Sequence, residues 1–548
     1  MGLFSTMLSM RAGRSMSVEV IVVGLSALAG GLFGARALAT QDRVAEQYKV
    51  FSHALAAIEA NYVDEVDPER LVYSAINGML QTLDPHSSFM NPRSYSQMRE
   101  RQEGRYYGLG ITIQVLNGDI TVMALFGGSP AYLRGLRRGD IIAEVEGESA
   151  KGWTSDQAVT RLRGPKGAVV KIAIRRSGYD ELIPLEVTRD EINIPTILGS
   201  FMVDEAVAYV RLRDFSETTN HDLGLALEGL ASQGMKKLLL DLRDNPGGPL
   251  DQAIQVANRF LPRGDMIVYT RGRIKNSDQD YYASEDSDFT ELPLVVLVNR
   301  NSASASEIVA GAIQDHDRGL IVGETTFGKA LVQSIYRVSQ GAGLALTTAR
   351  YYTPSGRLIQ RPWDGTFDEY LTYSLREQQG ERENLTADLK YTDAGRQVYS
   401  GGGIEPDMFM AGPIEGFDPT SAGRSLFARQ TFPRYARKYS ALGDTRISGQ
   451  GRNRISVDRN FEVTDGMVAD FGEFISTERI SIDTDALWED EAFVRAMIRY
   501  YIDLDLFGVV DARRHLVEVD PQATFALSLF TDAAAFRQLP WARQSIEQ

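Results

Sequence analysis

The chain has 548 residues, of which 43% are hydrophobic and 24% are charged, as in an ordinary globular protein of three or four domains. Its 58 basic and 73 acidic side chains give a formal net charge of −15, which argues against a broad nucleic-acid-binding face. The absence of cysteine excludes disulfides and cysteine-ligated metals, and the five histidines form no metal-binding pattern, so we expect no metal and no cofactor.

Residues 1–40 are typical of an export segment. Basic residues precede an apolar run, Val20 to Ala35, and a small-residue cleavage site follows at 37–39. The length of the run fits either a cleaved signal peptide or a retained membrane anchor. Both alternatives place the rest of the chain outside the cytoplasm, in the bacterial periplasm or at the outer face of the inner membrane.

Residues 41–104 are predicted to form an N-terminal helical module, because their apolar residues recur at three- and four-residue spacings on both sides of Asn61. Residues 105–192 change to short strands punctuated by glycine and aspartate, which predicts a small β domain. One helix interrupts this domain. Thr154 and Gln157 form a capping-box pattern at its start, and the helix is predicted to end at Leu162.

The segment Gly108-Leu109-Gly110-Ile111 leads into the first strand of this β domain. Its glycines free consecutive main-chain N–H groups to hold a carboxylate, and a peptide paired with the strand would meet Val159 and Leu162 on the helix. With Ser129-Pro130-Ala131 and Gly139-Asp140, the segment resembles a PDZ domain. The resemblance implies a reader of the C-terminal tails of protein substrates, and a glycine turn in an ordinary β-barrel is the alternative.

From residue 193 to residue 411 strands alternate with helices, which predicts an α/β layer core. A polar insert, residues 361–400, interrupts this region and is predicted to be a surface excursion. Residues 412–548 return to helical spacing, and the sequence assigns no chemistry to this extension. The predicted fold class is therefore α/β, with an inserted PDZ domain, an N-terminal helical module and a mostly helical C-terminal extension.

Ser304 lies in a serine-rich turn, Asn301 to Glu307, between an apolar strand and a predicted helix. The N–H groups that begin a helix favour a developing oxyanion, although a serine there can equally be a plain helix cap. The histidines offer no base within this stretch, which leaves Lys329 as the candidate. A lysine base needs its pKa lowered by about three units, roughly 4 kcal/mol, and the spacing fits a surface lysine equally well.

Three motifs surround these residues: Asn301 to Glu307, Thr326-Phe327-Gly328-Lys329 followed by Gln333, and Asp241 to Gly248. They resemble the C-terminal processing, or tail-specific, serine peptidases, and the resemblance extends to Leu83-Asp84-Pro85-His86-Ser87-Ser88-Phe89. It implies a crotonase- or ClpP-like α/β protease core. In that core Ser304 is the nucleophile, Lys329 the general base and Gln333 the residue that orients the lysine.

The resemblance also implies an oxyanion hole made by the N–H of Ala305 and by that of either Gly247 or Gly248. Glu307 is a candidate hydrogen-bond partner in the site, or else simply a carboxylate at a helix N-terminus. Arg163 is a candidate contact through which the PDZ domain gates the core. Only the family spacing to the lysine selects Ser304 over the serines two residues before and after it.

The sequence therefore predicts a serine endopeptidase that cleaves exported proteins recognised by their C-terminal tails. The alternative is a non-catalytic PDZ scaffold or adaptor with a peptidase-like core. An adaptor or regulatory protein, membrane anchoring by the N-terminal segment and self-association are left open as further partnerships, and nucleic acid is not expected as a partner.

Overall fold

The computed structural model describes residues 45–176, 178–363, 369–370, 372, 388–442, 457–478, 480, 488–531 and 533. The predicted export segment, residues 1–40, lies outside these ranges, as do parts of the insert and of the C-terminal extension. Among the helices of the described ranges, none combines the length and the apolar character that crossing a bilayer requires. The chain divides into two units, Met1–Leu83 and Asp84–Gln548.

The first unit contains two helices, α1 (residues 45–61) and α2 (Pro68–Gln81). Asp67 is the N-cap of α2, because its carboxylate accepts a hydrogen bond from the N–H of Glu69 at 2.9 Å. Pro68 occupies the first helical position, where no N–H donor is required. The two helices confirm the predicted N-terminal helical module.

The second unit begins with β1 (Ser88–Met90), α3 (Pro92–Glu103) and β2 (Arg105–Gly108). The β domain follows, and its elements are β3 (Ile111–Leu116), β4 (Asp119–Leu125), α4 (Pro130–Leu133), β5 (Ile141–Val145), β6 (Glu148–Ser149), α5 (Ser155–Leu162), β7 (Val169–Arg175), β8 (Ile183–Thr188) and β9 (Asp190–Asn193). The sheet order is β3-β4-β5-β7-β8, with β6 paired to β5. Strands β2 and β9 pair antiparallel, so the chain enters and leaves the domain at one place.

Helix α5 starts with the predicted capping box. The N–H of Thr154 donates to Gln157 Oε1 at 2.9 Å, and the N–H of Gln157 donates to Thr154 Oγ1 at 3.2 Å. The helix ends at Leu162, as the sequence predicts. Because β3 is an edge strand of the sheet and α5 packs beside it, the domain has an open groove between a helix and an unpaired strand edge.

The α/β core contributes three helices and most of the remaining strands. The helices are α6 (Thr219–Ser232), α7 (Leu250–Asn258) and α8 (Ala305–Asp315). The strands are β10 (Ile197–Met202), β11 (Val207–Leu212), β12 (Lys237–Asp241), β13 (Met266–Gly272), β14 (Gln279–Tyr282), β15 (Leu294–Val298), β16 (Leu320–Gly323), β17 (Leu331–Arg337), β18 (Gly343–Tyr352), β19 (Leu389–Tyr391), β20 (Gln397–Tyr399) and β21 (Met408–Phe409).

The principal sheet has the order β10-β11-β12-β15-β16-β21, and all its pairs are parallel except β10 with β11. Its strands are continuously apolar because both faces are covered. Side chains such as Leu240 and Val296 pack with α6, α7 and α8 on one face. The neighbouring residues Leu239 and Val295 point to the opposite face.

That opposite face is covered by the C-terminal extension, whose helices are α9 (Ser421–Ala428), α10 (Thr431–Leu442), α11 (Asp465–Thr477), α12 (Glu491–Leu506), α13 (Val509–Val519) and α14 (Pro521–Ser528). Val517, Ala523 and Phe530 pack against the sheet. Helices α9 to α12 share a core of their own around Phe471 and Phe493. The extension therefore completes a three-layer α/β fold and confirms the predicted fold class.

A second sheet has the order β1-β18-β13-β14, with β17 paired to the long strand β18. Because β18 borders both β1 and β17, it brings the start of the second unit beside the strand that follows Lys329.

The insert is only in part the surface excursion that the sequence predicts, because several of its described residues pack into the fold. Tyr370 is only 4% exposed, and Val398 on the β19–β20 hairpin is buried. Arg396 of the same hairpin bonds Asp317, at the end of α8, with Nε 2.6 Å from Oδ1. The insert lacks an apolar pattern because much of its attachment to the core consists of ion pairs and hydrogen bonds, which the periodicity of the sequence does not report.

Candidate active site

Ser304 occupies a strained turn at the start of α8. Its φ is +56° and its ψ is −114°, a conformation that L-residues other than glycine seldom adopt. The turn follows β15 and precedes Ala305, as the sequence predicts for a strand-to-helix serine turn. Such strain persists only where the surroundings impose it, and it is concentrated at functional sites.

The structure separates Ser304 from the two serines beside it. Ser302 and Ser306 are buried, and their hydroxyls donate to the carbonyls of Leu242 at 2.8 Å and of Asn245 at 3.0 Å. Ser304 is partly exposed, and its hydroxyl makes no hydrogen bond to another side chain of the described chain. It is therefore the hydroxyl of the three that is available for chemistry.

Glu307 links this turn to the loop that carries Lys329. It is fully buried, and its Oε2 accepts hydrogen bonds from the N–H of Ser304 at 2.8 Å and of Lys329 at 2.9 Å. Its Oε1 accepts from the N–H of Gly328 at 2.7 Å and from the hydroxyl of Thr326 at 2.6 Å. Burial raises the pKa of Glu307 to about 7, while these hydrogen bonds act in the opposite direction.

Tyr351 joins the same two residues from another side. Its hydroxyl lies 3.1 Å from the carbonyl oxygen of Ser304 and is also hydrogen-bonded to the carbonyl of Lys329. The main chains of Ser304 and Lys329 therefore share two partners, Glu307 through their N–H groups and Tyr351 through their carbonyls. Their side chains form no hydrogen bond with each other in the described structure.

Lys329 is partly buried, and its ammonium forms no ion pair with a residue in the described ranges. Burial lowers the pKa of Lys329, and the negative charges of Glu307 and Asp84 oppose that shift. The direction is the one that a lysine base requires. No cluster of three or more histidine or acidic side chains fit to hold a metal occurs in the part of the chain described.

Gln333 follows on β17, but the structure does not pair it with Lys329. Its Nε2 donates instead to Thr347 Oγ1, at 3.3 Å, on the adjacent strand β18. A β-bulge between Val332 and Gln333 shifts the register at this point.

Two of the predicted oxyanion residues, Ala305 and Gly247, lie beside Ser304. Gly247 has a φ of +92°, and a Cβ there would stand 2.7 Å from the nitrogen of Ala305 and 2.8 Å from the Cβ of Ser304, so only glycine fits. The N–H of Gly247 donates to Asn245 Oδ1 at 2.9 Å. The N–H groups of Ala305 and Gly248 bond to no residue of the described structure, so Gly248 rather than Gly247 has an uncommitted donor.

The loop before these glycines is anchored by the C-terminal extension, a contact that the sequence does not reveal. Arg243 is buried and donates to Asp241 through Nε, at 3.0 Å. Its other nitrogens reach Asp520 at 2.7 Å and Gln522 at 3.1 Å, both at the start of α14. The arginine inside the Asp241 to Gly248 motif was the available signal in the sequence. Its partners in the extension, Asp520 and Gln522, lie almost 280 residues further along the chain.

His86 is a further neighbour of the lysine that sequence reasoning missed. Its Nε2 is 2.8 Å from the hydroxyl of Tyr370, and its ring packs edge-on against Phe327. Burial, with a contribution from the charge of Lys329, lowers the pKa of His86 to about 4. At neutral pH it is therefore an uncharged imidazole and a weak base. The Leu83 to Phe89 motif was the signal for this placement.

The predicted peptide-binding residues surround the α5–β3 groove. Leu109 and Leu162 are buried in the core of the β domain, while Ile111 and Val159 are only partly buried. The last two side chains are therefore the ones placed to meet a peptide in the groove.

Tyr106 lies against the glycine segment of this domain. A Cβ at Gly108 would stand 2.8 Å from Cε2 of Tyr106. Burial raises the pKa of the Tyr106 phenol, while the charge of Arg163 and the N–H groups of Ile111 and Gly110 lower it. The phenol therefore lies close enough to these N–H groups, which are predicted to hold a carboxylate, for them to stabilise its charged form.

Arg163, the predicted gating residue, stacks over the ring of Tyr106 at 4.5 Å from its centroid. Its guanidinium is also paired with Glu100 on α3. In the described part of the chain it forms no hydrogen bond with the α/β core.

Comparison with known proteins gives consistent matches. Residues 206–366 match the family model of peptidase family S41, residues 97–175 that of the PDZ domain, and residues 34–94 that of the activating protease CtpB N-terminal domain.

A carboxy-terminal-processing protease of Bartonella bacilliformis is 40% identical over 319 residues, 58% of this chain and 73% of that protein. The carboxy-terminal processing protease CtpA of Bacillus subtilis is 34% identical over 60% of this chain and 70% of its own. A solved photosystem II D1 C-terminal processing protease is 28% identical, with a TM-score of 0.34, over 67% of this chain and 93% of its own.

Proposed function

The chain belongs to the carboxy-terminal-processing proteases of peptidase family S41, and we propose that Ser304 and Lys329 form its catalytic dyad. The matches to peptidase family S41 and to the PDZ domain confirm the protease family and the PDZ domain that the sequence predicts. The observation that carries the proposal is the double link between the two residues. Glu307 accepts from both of their N–H groups, and the hydroxyl of Tyr351 bonds to the carbonyl of Lys329 and lies 3.1 Å from that of Ser304. The hydroxyl of Ser304 bonds to no other side chain of the described structure.

Acylation follows from this arrangement. The uncharged amine of Lys329 accepts the proton of Ser304 Oγ as Oγ bonds to the carbonyl carbon of the substrate. The carbonyl oxygen becomes an oxyanion and is held by the N–H groups of Ala305 and Gly248. The ammonium of Lys329 then gives its proton to the leaving amine as the C–N bond breaks. Water attacks the ester by the same route and restores both side chains.

Gln333 has the role of orienting the amine, since its amide oxygen can accept a hydrogen bond from Lys329. Because Gln333 bonds to Thr347 and not to Lys329 in this structure, a movement of the lysine side chain must bring its amine to the amide oxygen. Arg163 is the candidate for coupling that movement to the PDZ domain, since it contacts both Tyr106 and Glu100 on the preceding helix.

The substrate class proposed is an exported protein with an accessible C-terminal tail. The edge of β3 can pair with an extended tail, and the glycine segment before it can take the terminal carboxylate. An exported location at the periplasmic side of the bacterial inner membrane agrees with the signal-like residues 1–40. A non-catalytic scaffold does not need, in a strained turn, a serine hydroxyl that bonds to no other side chain, which favours the enzyme.

The test uses the full chain and a peptide that ends in a free carboxylate. Ser304→Ala and Lys329→Ala should each abolish cleavage while binding of the peptide to the PDZ domain persists. Lys329→Arg, which keeps a positive charge but cannot act as a base, is the matched control and should also be inactive. Turnover retained in any of these variants would refute the dyad, and a wild-type chain that binds the peptide without cleaving it would favour the scaffold. Amidating the peptide should weaken its capture.

A further inference from the structure

Asp84 is a buried carboxylate that the proposed mechanism does not use. Its Oδ1 accepts hydrogen bonds from the N–H groups of His86 and Ser87, both at 2.8 Å. Its Oδ2 accepts from the hydroxyl of Ser87 at 2.7 Å. The carboxylate therefore closes a tight turn immediately before β1 and fixes where the hydroxyl of Ser87 sends its proton.

The turn reaches the active-site sheet through β18. Strand β1 pairs antiparallel with β18, with Ser88 opposite Ala345. Two residues further along β18, the N–H of Thr347 donates to Ser87 Oγ at 3.1 Å, and the two hydroxyl oxygens lie 3.4 Å apart. Thr347 is in turn the residue that takes the amide of Gln333, at 3.3 Å, and stands opposite it in the register of β17 and β18.

The donor and acceptor roles in this series of hydrogen bonds are set by Asp84, at the end away from Gln333. An ionised carboxylate only accepts, so the proton of Ser87 points to Asp84 and Ser87 Oγ can only accept from Thr347. Because that proton is held by Asp84 at 2.7 Å, Ser87 cannot also donate across the 3.4 Å contact between the two hydroxyls, and the proton in this contact can come only from Thr347. With its own proton turned to Ser87, Thr347 Oγ1 accepts from its other neighbour. That neighbour is the amide of Gln333, which must present its NH2 group and not its oxygen.

We propose that Asp84 acts through Ser87 and Thr347 as a positioning residue that fixes the amide of Gln333 with its oxygen directed away from Thr347 and available to Lys329. The inference rests on the proposed role of Gln333 in the dyad. An amide in the reverse orientation would offer its NH2 group to Lys329. The charged amine of Lys329 has no acceptor for that group, so Gln333 could no longer orient it.

Thr347→Val removes the hydroxyl that links Ser87 to Gln333, without changing any charge and with little change in side-chain shape. In the full-length protein acting on the tail-bearing peptide, kcat should fall roughly tenfold while KM stays unchanged, since the loss concerns the orientation of the base. Thr347→Ser keeps the hydroxyl and should restore most of the activity. Thermal unfolding of both variants checks that the fold is retained.

The double variant tests whether Thr347 works through Gln333. If it does, Gln333→Ala with Thr347→Val should be no slower than Gln333→Ala alone, whereas independent effects would multiply. Wild-type kcat in Thr347→Val or in Gln333→Ala, or multiplied effects in the double variant, would overturn the inference.

Asp84→Asn gives a second readout. Asparagine can donate as well as accept, so it no longer fixes which way the hydrogen bonds between Asp84 and Gln333 run. We therefore expect kcat to fall as in Thr347→Val. The substitution also removes a negative charge that raises the pKa of Lys329, so the acid limb of kcat should move to lower pH. An unmoved limb together with an unchanged kcat would overturn the role of Asp84. Retained turnover in Ser304→Ala would instead refute the proposed function itself, which keeps the two failures distinguishable.

Discussion

Glu307 Oε2 lies 2.9 Å from the main-chain nitrogen of Lys329. Glu307 lies in the first turn of α8, so this contact fixes the loop that carries Lys329 to the helix whose N-terminus carries Ser304. Two of the four donors on its carboxylate are the main-chain N–H groups of the proposed nucleophile and base. Glu307 therefore does more than complement a helix dipole, which was the alternative that the sequence allowed.

Glu307→Gln should lower kcat and stability together. The amide replaces one acceptor oxygen by an NH2 group that faces main-chain donors, and a buried unsatisfied donor costs about 2 kcal/mol. We expect a matching loss in the free energy of unfolding, measured by urea denaturation, and a fall in kcat on a tail-bearing peptide. Glu518→Gln changes an exposed glutamate on α13 and serves as the control. Wild-type values for both quantities in Glu307→Gln would contradict the role.

The same carboxylate predicts a pH dependence. Because burial raises the pKa of Glu307 to about 7, a proton is taken up as the pH falls through that value. The added hydrogen displaces one main-chain donor and loosens the link between Ser304 and Lys329, so kcat should decline below about pH 7. The decline attributable to Glu307 should be missing from the profile of Glu307→Gln. The limb that remains reports Lys329 and should lie at lower pH than in the wild type, because the glutamate charge that raises the pKa of Lys329 is gone. An unchanged profile would refute the assignment.

The parts of this site that sequence predicts are the local ones. The capping box of Thr154 and Gln157 and the serine turn at Ser304 depend on residues a few positions apart, so the pattern of residue types suffices. The pairing of Gln333 with Thr347 is set by strand register and a bulge, which no single-strand pattern reveals.

The longest-range contacts escape sequence analysis altogether. Asp520 is one aspartate among many in a helical extension until the fold places it against Arg243. The polar composition of the insert predicts a surface segment, yet Tyr370 is buried beside His86. Polar contacts between distant segments produce no periodic pattern in the sequence, so only the three-dimensional structure reveals them.

Asp520→Asn tests whether the extension supports the oxyanion loop. Removing one partner of a buried ion pair costs about 3–5 kcal/mol where the other charge is left unpaired, and the loss should be smaller here because Arg243 keeps its pair with Asp241. Asparagine still caps α14, so the substitution acts on Arg243 rather than on the helix. We expect lower stability and a lower kcat with little change in KM, measured on the full chain. Asp286→Asn, at an exposed position, is the control. A stable, fully active variant would show that the loop holds its shape without this contact.

His316 should make the fold sensitive to alkaline pH. Burial alone would lower the pKa of His316, but its hydrogen bonds to the Asp393 carboxylate and the Met266 carbonyl, each at 2.7 Å, outweigh burial and raise the pKa to about 9. A group with a raised folded-state pKa contributes its full stability below its unfolded value, near 6.5, and loses it as the pH rises through 9.

The contribution of His316 is about 3 kcal/mol at most. The free energy of unfolding, measured by denaturant titration at several pH values, should therefore fall between about pH 6.5 and pH 9 in the wild type. His316→Gln should flatten this part of the curve, while His221→Gln, at an exposed position, should leave it unchanged. Parallel curves for the wild type and His316→Gln would rule out the charged, doubly bonded imidazole.

Tyr106→Phe tests the predicted carboxylate cradle of the PDZ domain. The N–H groups of Gly110 and Ile111 act on the phenol of Tyr106, so we expect the phenol to compete with a peptide carboxylate for those groups. Phenylalanine keeps the ring under Arg163 but removes the competing oxygen, and we expect the Kd for a free-carboxylate peptide to fall by roughly threefold to tenfold, about 1 kcal/mol. The measurement is fluorescence anisotropy on Ser304→Ala, which cannot consume the peptide. An amidated peptide should gain nothing from the substitution, because it brings no charge to the vacated N–H groups; an equal gain for both peptides would place the tail elsewhere in the groove.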